Sequence, residues 1–74
     1  MILGNIEHLR IKVKDLVGTK YYAIVRLKDY KKYKYNAKVR AIELNEDRAY
    51  QDCNSFINTD NIEYIVLNMS SKGG

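Results

Sequence analysis

Apolar and basic residues alternate strictly near the start of the chain, and few local structures are compatible with that pattern. The apolar positions are Leu9, Ile11 and Val13, and the basic positions between them are Arg10, Lys12 and Lys14. A period of two with β-branched residues is typical of a strand that buries one face and exposes the other. The sequence therefore predicts a strand over residues 8–14 with a basic outer face.

Two further segments show the same alternation. In residues 20–29, one face carries Tyr21, Ala23, Val25 and Leu27, and the other carries Tyr22, Ile24, Arg26 and Lys28. The short connection through Gly18 predicts an antiparallel hairpin between this strand and the first. In residues 37–44, the apolar Ala37, Val39 and Ala41 oppose Lys38 and Arg40, after which Ile42 and Leu44 fall on the polar face. A bulge after Ala41, or a strand covered on both faces at that end, explains the change.

The segments between these strands are less regular. Residues 29–36 lack apolar periodicity apart from their tyrosines, and we interpret them as a hairpin loop. In residues 45–57, an Asn followed by two acids is typical of a helix start, and an apolar stripe comprises Ala49, Tyr50, Cys53, Phe56 and Ile57. Poor helix formers such as Asp52 and Asn54 favour a hairpin strand instead. We predict a strand here, with a helix as the alternative, and a last strand over residues 62–68.

Several short strands in a chain of 74 residues favour an all-β fold, a small barrel or a curled antiparallel sheet, since closure removes exposed edges. Ser55–Ile65, with a polar turn at Asn58–Asn61, resembles the closing segment of SH3-like barrels. The resemblance implies that fold alone, because the Trp and the paired acidic loop residues of peptide-binding SH3 domains are missing. We predict one β domain over residues 1–69 and a flexible tail at 70–74. An α+β fold with a short helix at about 46–57 packed on the sheet is the alternative.

Residues suited to catalysis are scarce. His8 is the only histidine and Cys53 the only cysteine, and the four glycines are too scattered to form a phosphate-binding loop. The sequence therefore predicts no enzymatic activity, no metal site and no cofactor. The unpaired cysteine and the lack of a signal peptide or a spanning apolar stretch predict a soluble, cytoplasmic protein without membrane contact.

Basic residues are concentrated in the first half of the chain. Residues 1–40 hold eleven of the thirteen Lys and Arg residues and three of the nine acids, so their net charge is +8, against −4 for residues 41–74. On three neighbouring strands, the outward cations would converge on one sheet face, and the following loop interleaves Lys with Tyr. Such surfaces suit phosphate backbones and stacked bases, although a solvated basic face is an equally good interpretation.

The leading hypothesis is a non-catalytic module that binds DNA or RNA. Its predicted binding residues are Arg10, Lys12, Lys14, Tyr22, Arg26, Lys28, Tyr30, Lys31, Lys32, Tyr33, Lys34, Tyr35, Lys38 and Arg40. The first alternative is a phage- or mobile-element-type accessory protein that binds and inhibits or redirects a host protein. Its contact region would combine Glu43, Glu46, Asp47 and Asp52 with Tyr50 and Phe56. The second alternative is a structural subunit that forms homo-oligomers.

Overall fold

The chain folds into a three-stranded antiparallel sheet with two helices, and the computed structural model describes residues 11–71. The elements are β1 (Tyr22–Arg26), α1 (Leu27–Tyr33), β2 (Ala41–Glu43), α2 (Glu46–Asp60) and β3 (Tyr64–Asn68). Short 3₁₀ turns cover Val13–Leu16, Lys34–Asn36 and Met69–Ser71. The sheet order is β2-β1-β3, so β1 is the central strand and pairs antiparallel with both neighbours.

Both faces of the sheet are buried, which follows from the side chains of β1. Ala23 and Val25 point into one apolar cluster, and Ile24 between them points into a second cluster on the opposite face. Alternating side chains of one strand always divide between two faces. The three consecutive apolar residues of β1 therefore require a cover on each side of the sheet.

One of the two covers is α2. Asn45 is its N-cap and accepts a hydrogen bond from the backbone N–H of Arg48 at 3.0 Å. Ala49 and Cys53 face the sheet and are buried. The helix ends at Asn61, whose left-handed backbone (φ 56°, ψ 41°) allows its N–H to donate to the carbonyl of Ile57. Such a C-cap reverses the chain into β3.

The segment before β1 covers the other face. Val13 is fully buried there, in a cluster that also contains Leu16, Val39 and Ile42. Two backbone hydrogen bonds hold this segment: Val13 N–H to the Ala37 carbonyl and Val39 N–H to the Ile11 carbonyl, both 2.9 Å. The molecule is thus a three-layer structure with the sheet in the middle.

The predicted all-β fold, as a small SH3-like barrel or a curled sheet, is wrong. The sheet is open, and the fold is α+β, with α2 occupying the place that the helix alternative gave to residues 46–57. Ser55–Ile65 runs through the end of α2, its C-cap and the start of β3, so the expected turn at Asn58–Asn61 is the last turn of a helix. Packing of the stripe of α2 outweighs its weak helix propensity.

Several predicted strands are shorter than expected or absent. Residues 8–10 of the first predicted strand lie outside the described residues, and the rest of it forms one β-bridge and a 3₁₀ turn. No hairpin links it to β1, and the predicted loop at 29–36 is α1 with a 3₁₀ turn. Residues 41–43 are covered on both faces, one of the two explanations offered for that segment. Of the expected tail, Ser70 and Ser71 belong to a 3₁₀ turn, and residues 72–74 lie outside the description.

Candidate nucleic-acid interface

Two lysines lie directly opposite each other in the β-bridge that joins the first described segment to the chain before β2. Lys12 and Lys38 are the bridge partners, and the flanking hydrogen bonds of Val13 and Val39 make them a non-hydrogen-bonded antiparallel pair. In such pairs the Cα atoms are about 4.5 Å apart and the side chains lie side by side. Their sequence neighbours pack in the core, with Ile11 partly buried and Val13, Ala37 and Val39 buried. Because side chains alternate along extended chain, the two lysines share the outer face.

The lysine pair forms one wall of an open groove of about 420 Å³. The lining residues are Lys12, Asp29, Tyr33, Asn36 and Lys38. Asp29 and Tyr33 come from the first and last turns of α1, and Asn36 comes from the 3₁₀ turn that follows it. The groove therefore combines cations, one aromatic ring, one amide and one carboxylate, and its size is within the roughly 300–1,000 Å³ of small-molecule sites.

Exposed tyrosines and lysines lie on α1 and on the 3₁₀ turn that follows it. Tyr33 and Tyr35 are 48% and 38% exposed, and the Lys32 Nζ lies 5.2 Å from the centroid of the Tyr33 ring. The Lys34 Nζ lies 5.9 Å from the Tyr30 ring, which packs partly against the core. Lys34 adopts a positive φ of 55°, a conformation that costs on the order of 1–3 kcal/mol in residues other than glycine. This turn lies between Tyr33 and Asn36, which both line the groove with the lysine pair.

Other predicted binding residues lie elsewhere, because the sheet formed within residues 11–71 has no exposed basic face. Arg10 lies outside the described residues. Arg26 lies at the end of β1, with its Nε 3.9 Å from the Asp29 Oδ2. Lys28 and Lys31 line a second groove. Tyr22 lies on the sheet face that α2 covers, and Lys14 is exposed on the first 3₁₀ turn. Among the described strand cations, the structure brings Lys12 and Lys38 together. The face of β1 that was predicted to be basic packs against α2 instead.

Arg40 is part of the packing between α2 and the sheet. Its guanidinium lies 4.2 Å from the centroid of the Phe56 ring, and that ring is tilted against Tyr64 at 5.7 Å. The Tyr64 hydroxyl donates a 2.6 Å hydrogen bond to Asp60. Burial, followed by the hydrogen bond to Asp60, raises the pKa of Tyr64 above its ordinary value. The half-buried Arg40 therefore packs on Phe56 and is not part of the groove.

Two carboxyl groups meet beneath α2, where sequence reasoning placed a protein-binding surface. Glu43 of β2 is 2% exposed, and one of its oxygens, like one oxygen of Asp52, is buried without a hydrogen-bond partner in the described structure. Burial, and then the neighbouring Asp52, raise the pKa of Glu43, although Arg48 acts in the opposite direction. Burial also raises the pKa of the Cys53 thiol. These groups belong to the interior and are not an exposed acidic contact region.

Asp29 and Asn36 were not among the predicted binding residues. The first lay in a stretch interpreted as strand and loop, and the second ended that loop, so no pattern connected either of them with Lys12. Only the helical turn of α1 and the β-bridge bring them to one groove. Within residues 11–71, no cluster of three or more His, Cys, Asp or Glu side chains is arranged to hold a metal ion. None of the helices in this range has the length and apolar character needed to cross a membrane.

Comparisons of the chain with protein-family models, curated proteins and solved structures found no match. The functional argument therefore rests on the chemistry of the groove and its surroundings.

Proposed function

We propose that this chain is a non-catalytic module that binds single-stranded nucleic acid at the groove beside α1. The Lys12–Lys38 pair holds the phosphate backbone, and the exposed rings of Tyr33 and Tyr35 stack on bases. The observation that carries the proposal is the lysine pair, because two like charges directly opposite each other destabilise a β pair unless something compensates them. A bound phosphate supplies that compensation.

The wider charge distribution supports an anionic ligand. Residues 11–40 contain ten Lys and Arg residues and two acids, Asp15 and Asp29. Asp15 accepts a hydrogen bond from the Lys12 backbone N–H at 2.9 Å and so holds the first 3₁₀ turn. A surface with this excess of positive charge attracts polyanions over a range of about one Debye length, and neutralised phosphates release counterions.

The aromatic residues favour a single strand over a duplex. Tyr33 and Tyr35 expose much of their rings, and stacking on an aromatic side chain requires a base that is not already stacked within a double helix. No described helix combines a basic face with the length needed to read a major groove. The helix α1 has seven residues, and the charged residues of α2 are four acids and one arginine. A flexible strand can follow the short groove and place successive bases on the two rings.

The test is a salt titration of binding to fluorescein-labelled single-stranded DNA and RNA, measured by fluorescence anisotropy. The wild-type chain should bind at about 50 mM salt and lose affinity steeply as salt rises. Lys38→Ala should weaken binding and reduce the slope of log K against log salt by about 0.7, the value for one phosphate contact on a single strand.

Lys20→Ala is the matched control, because it removes the same charge from an exposed residue that lines a separate groove near Gly18. This variant should keep the wild-type slope. A salt-independent affinity, no binding at about 50 mM salt, or equal effects of the two variants would contradict the proposal.

A protein partner is the second candidate, and the observation that favours it is a different surface. Leu44 and Tyr50 are 54% and 52% exposed, and they flank the acidic first turn of α2 with Glu46 and Asp47. Exposed apolar residues beside charges are typical of transient interfaces. Nuclease-resistant, stoichiometric capture of one host protein that Tyr50→Ala abolishes and Lys38→Ala leaves intact would favour this candidate over nucleic acid.

A further inference from the structure

We propose that the groove beside α1 selects guanine, with Asp29 as the residue that reads the base. This inference rests on the proposed function and adds to it a base preference. It starts from an anomaly in the groove: a carboxylate lies in the wall of a site whose other charges are positive. A carboxylate repels phosphate, so a groove that bound only the phosphate backbone of a nucleic acid would have a higher affinity without this carboxylate.

Asp29 has acceptor capacity that its surroundings do not use. Arg26 forms an ion pair with it, with the Arg26 Nε 3.9 Å from the Asp29 Oδ2, and this separation exceeds a hydrogen bond. Within the described residues, no hydrogen bond to the Asp29 carboxylate is present, and the side chain is 33% exposed. Among residues 11–71, no donor occupies these two oxygens, and we place the base of the ligand against them.

The chemistry of a carboxylate restricts the base that it can read. An ionised carboxylate accepts hydrogen bonds and donates none, so it favours a base edge with adjacent donors. Guanine presents two such donors side by side, its ring N–H and its neighbouring exocyclic amino group, which match the two carboxylate oxygens. Cytosine and adenine each offer one amino group beside an acceptor, and uracil and thymine place the ring N–H between two carbonyls. Bidentate pairing therefore favours guanine.

The other lining residues fit the same ligand. The Tyr33 ring offers a stacking surface, and the Asn36 amide can donate to an acceptor such as the guanine carbonyl. Lys12 and Lys38 provide the positive charge for the phosphate of the same nucleotide. All five side chains line one groove of about 420 Å³, a volume suited to a single nucleotide.

The experiment is competition by GMP, AMP, CMP and UMP against a labelled single-stranded oligonucleotide bound to the wild-type chain, at low salt. GMP should compete at a concentration at least about tenfold lower than the others, as one bidentate base contact predicts. Asp29→Asn replaces one acceptor oxygen by a donor, so this variant should lose the preference for GMP while it still binds the oligonucleotide. Asp29→Ala should also lose the preference.

Glu63→Gln is the matched control, since it removes one negative charge beside Lys28 and Lys31, in a different groove. It should keep the preference for GMP. Equal competition by all four nucleotides, or a preference that survives in both Asp29 variants, would overturn the base assignment even where the oligonucleotide binds. Failure of the wild-type chain to bind any oligonucleotide would instead overturn the proposed function, so the two failures are distinguishable.

Discussion

The proposed function gives Lys38 opposite effects: its charge destabilises the fold and favours nucleic-acid binding. It faces Lys12 across a β-bridge at the separation where cross-strand pairs interact most strongly, and like charges there reduce stability. The backbone hydrogen bonds of Val13 and Val39 fix the separation of the two lysine Cα atoms. Selection for stability alone would favour an acid at one of the two positions.

Lys38→Glu should therefore stabilise the fold and abolish binding. The new carboxylate faces Lys12, and an opposite-charge cross-strand pair should raise the free energy of unfolding by about 0.2–1 kcal/mol. The same change places a negative charge where a phosphate is proposed to bind. Denaturant unfolding measures the first effect and fluorescence anisotropy the second, and Lys20→Glu serves as the control for a charge reversal outside the groove. A variant that loses both stability and affinity would contradict this interpretation.

The candidate site was only partly predictable at the level of residues. Lys12, Tyr33 and Lys38 were predicted from alternation and from the Lys/Tyr run, and the structure brings them to one groove. Asp29 and Asn36 were missed because residue type alone does not mark an acid or an amide as part of a basic site. Arg40 was assigned to binding by the same period-two rule, yet Phe56 of α2 holds it in the packing between helix and sheet.

At the level of elements, α2 shows why the sequence left residues 45–57 undecided. The cap at Asn45 and the apolar stripe were both visible, and the structure confirms the cap. The weak helix propensity of residues such as Asp52 and Asn54 opposed a helix. Burial of Ala49 and Cys53 against the sheet stabilises the helix that forms. For α1 no comparable signal existed, because no side-chain cap marks its start and none of its residues is buried. Local patterns identified β1 and β3 as strands, although their ends and partners depend on the rest of the fold.

The contact between β2 and α2 should make stability depend on pH. The pKa of Glu43 is raised in the folded state above its ordinary 4.5, so the folded chain holds a proton more tightly than the unfolded chain. The stabilisation from this tighter proton binding is complete below pH 4.5 and is lost as the pH rises through the raised pKa of Glu43 in the folded state. The free energy of unfolding should therefore fall, through the ionisation of Glu43, as the pH rises from 4.5 toward neutrality.

Glu43→Gln should remove this loss, since an amide stays neutral and can donate to Asp52. At neutral pH the variant should exceed the wild-type chain in free energy of unfolding by on the order of 1–3 kcal/mol, the cost of an unsatisfied buried polar group. At low pH the two should be nearly equal. Thermal unfolding across the pH range measures the difference, and Glu46→Gln, at an exposed acid, should show no such convergence. A constant difference at all pH values would contradict protonation of Glu43 as the cause.

At the level of the whole molecule, burial on both faces of the sheet takes the place of barrel closure. The barrel was predicted because closure removes exposed edges. Here β2 and β3 are the edge strands, and β2, with three residues, offers little template for pairing with another chain. A helix on one face and the segment before β1 on the other bury the apolar residues without bending the sheet into a barrel. In the sequence, a cover on both faces was indicated only by the consecutive apolar residues of β1 and by Ala41 and Ile42 at the start of β2.

The central strand should make the two clusters unfold together. Ile24 of β1 belongs to the cluster under α2, and Ile42 of β2 belongs to the cluster on the opposite face. Ile24→Val and Ile42→Val should each lower the free energy of unfolding by about 0.5–1.5 kcal/mol. Each variant should still unfold in one transition, with coincident curves from circular dichroism and tyrosine fluorescence. Separated transitions in either variant would show that the layers fold independently.

The bridge between Lys12 and Lys38 has a thermodynamic consequence for the segment it attaches. Repulsion between the two side chains weakens the docking of that segment, and a phosphate bound between them removes the repulsion. If nucleic acid binds here as proposed, its binding and the docking of this segment are linked equilibria, in which each process raises the equilibrium constant of the other by the same factor. Val13, fully buried in the core, belongs to this segment, so the linkage extends from the surface charge to the interior.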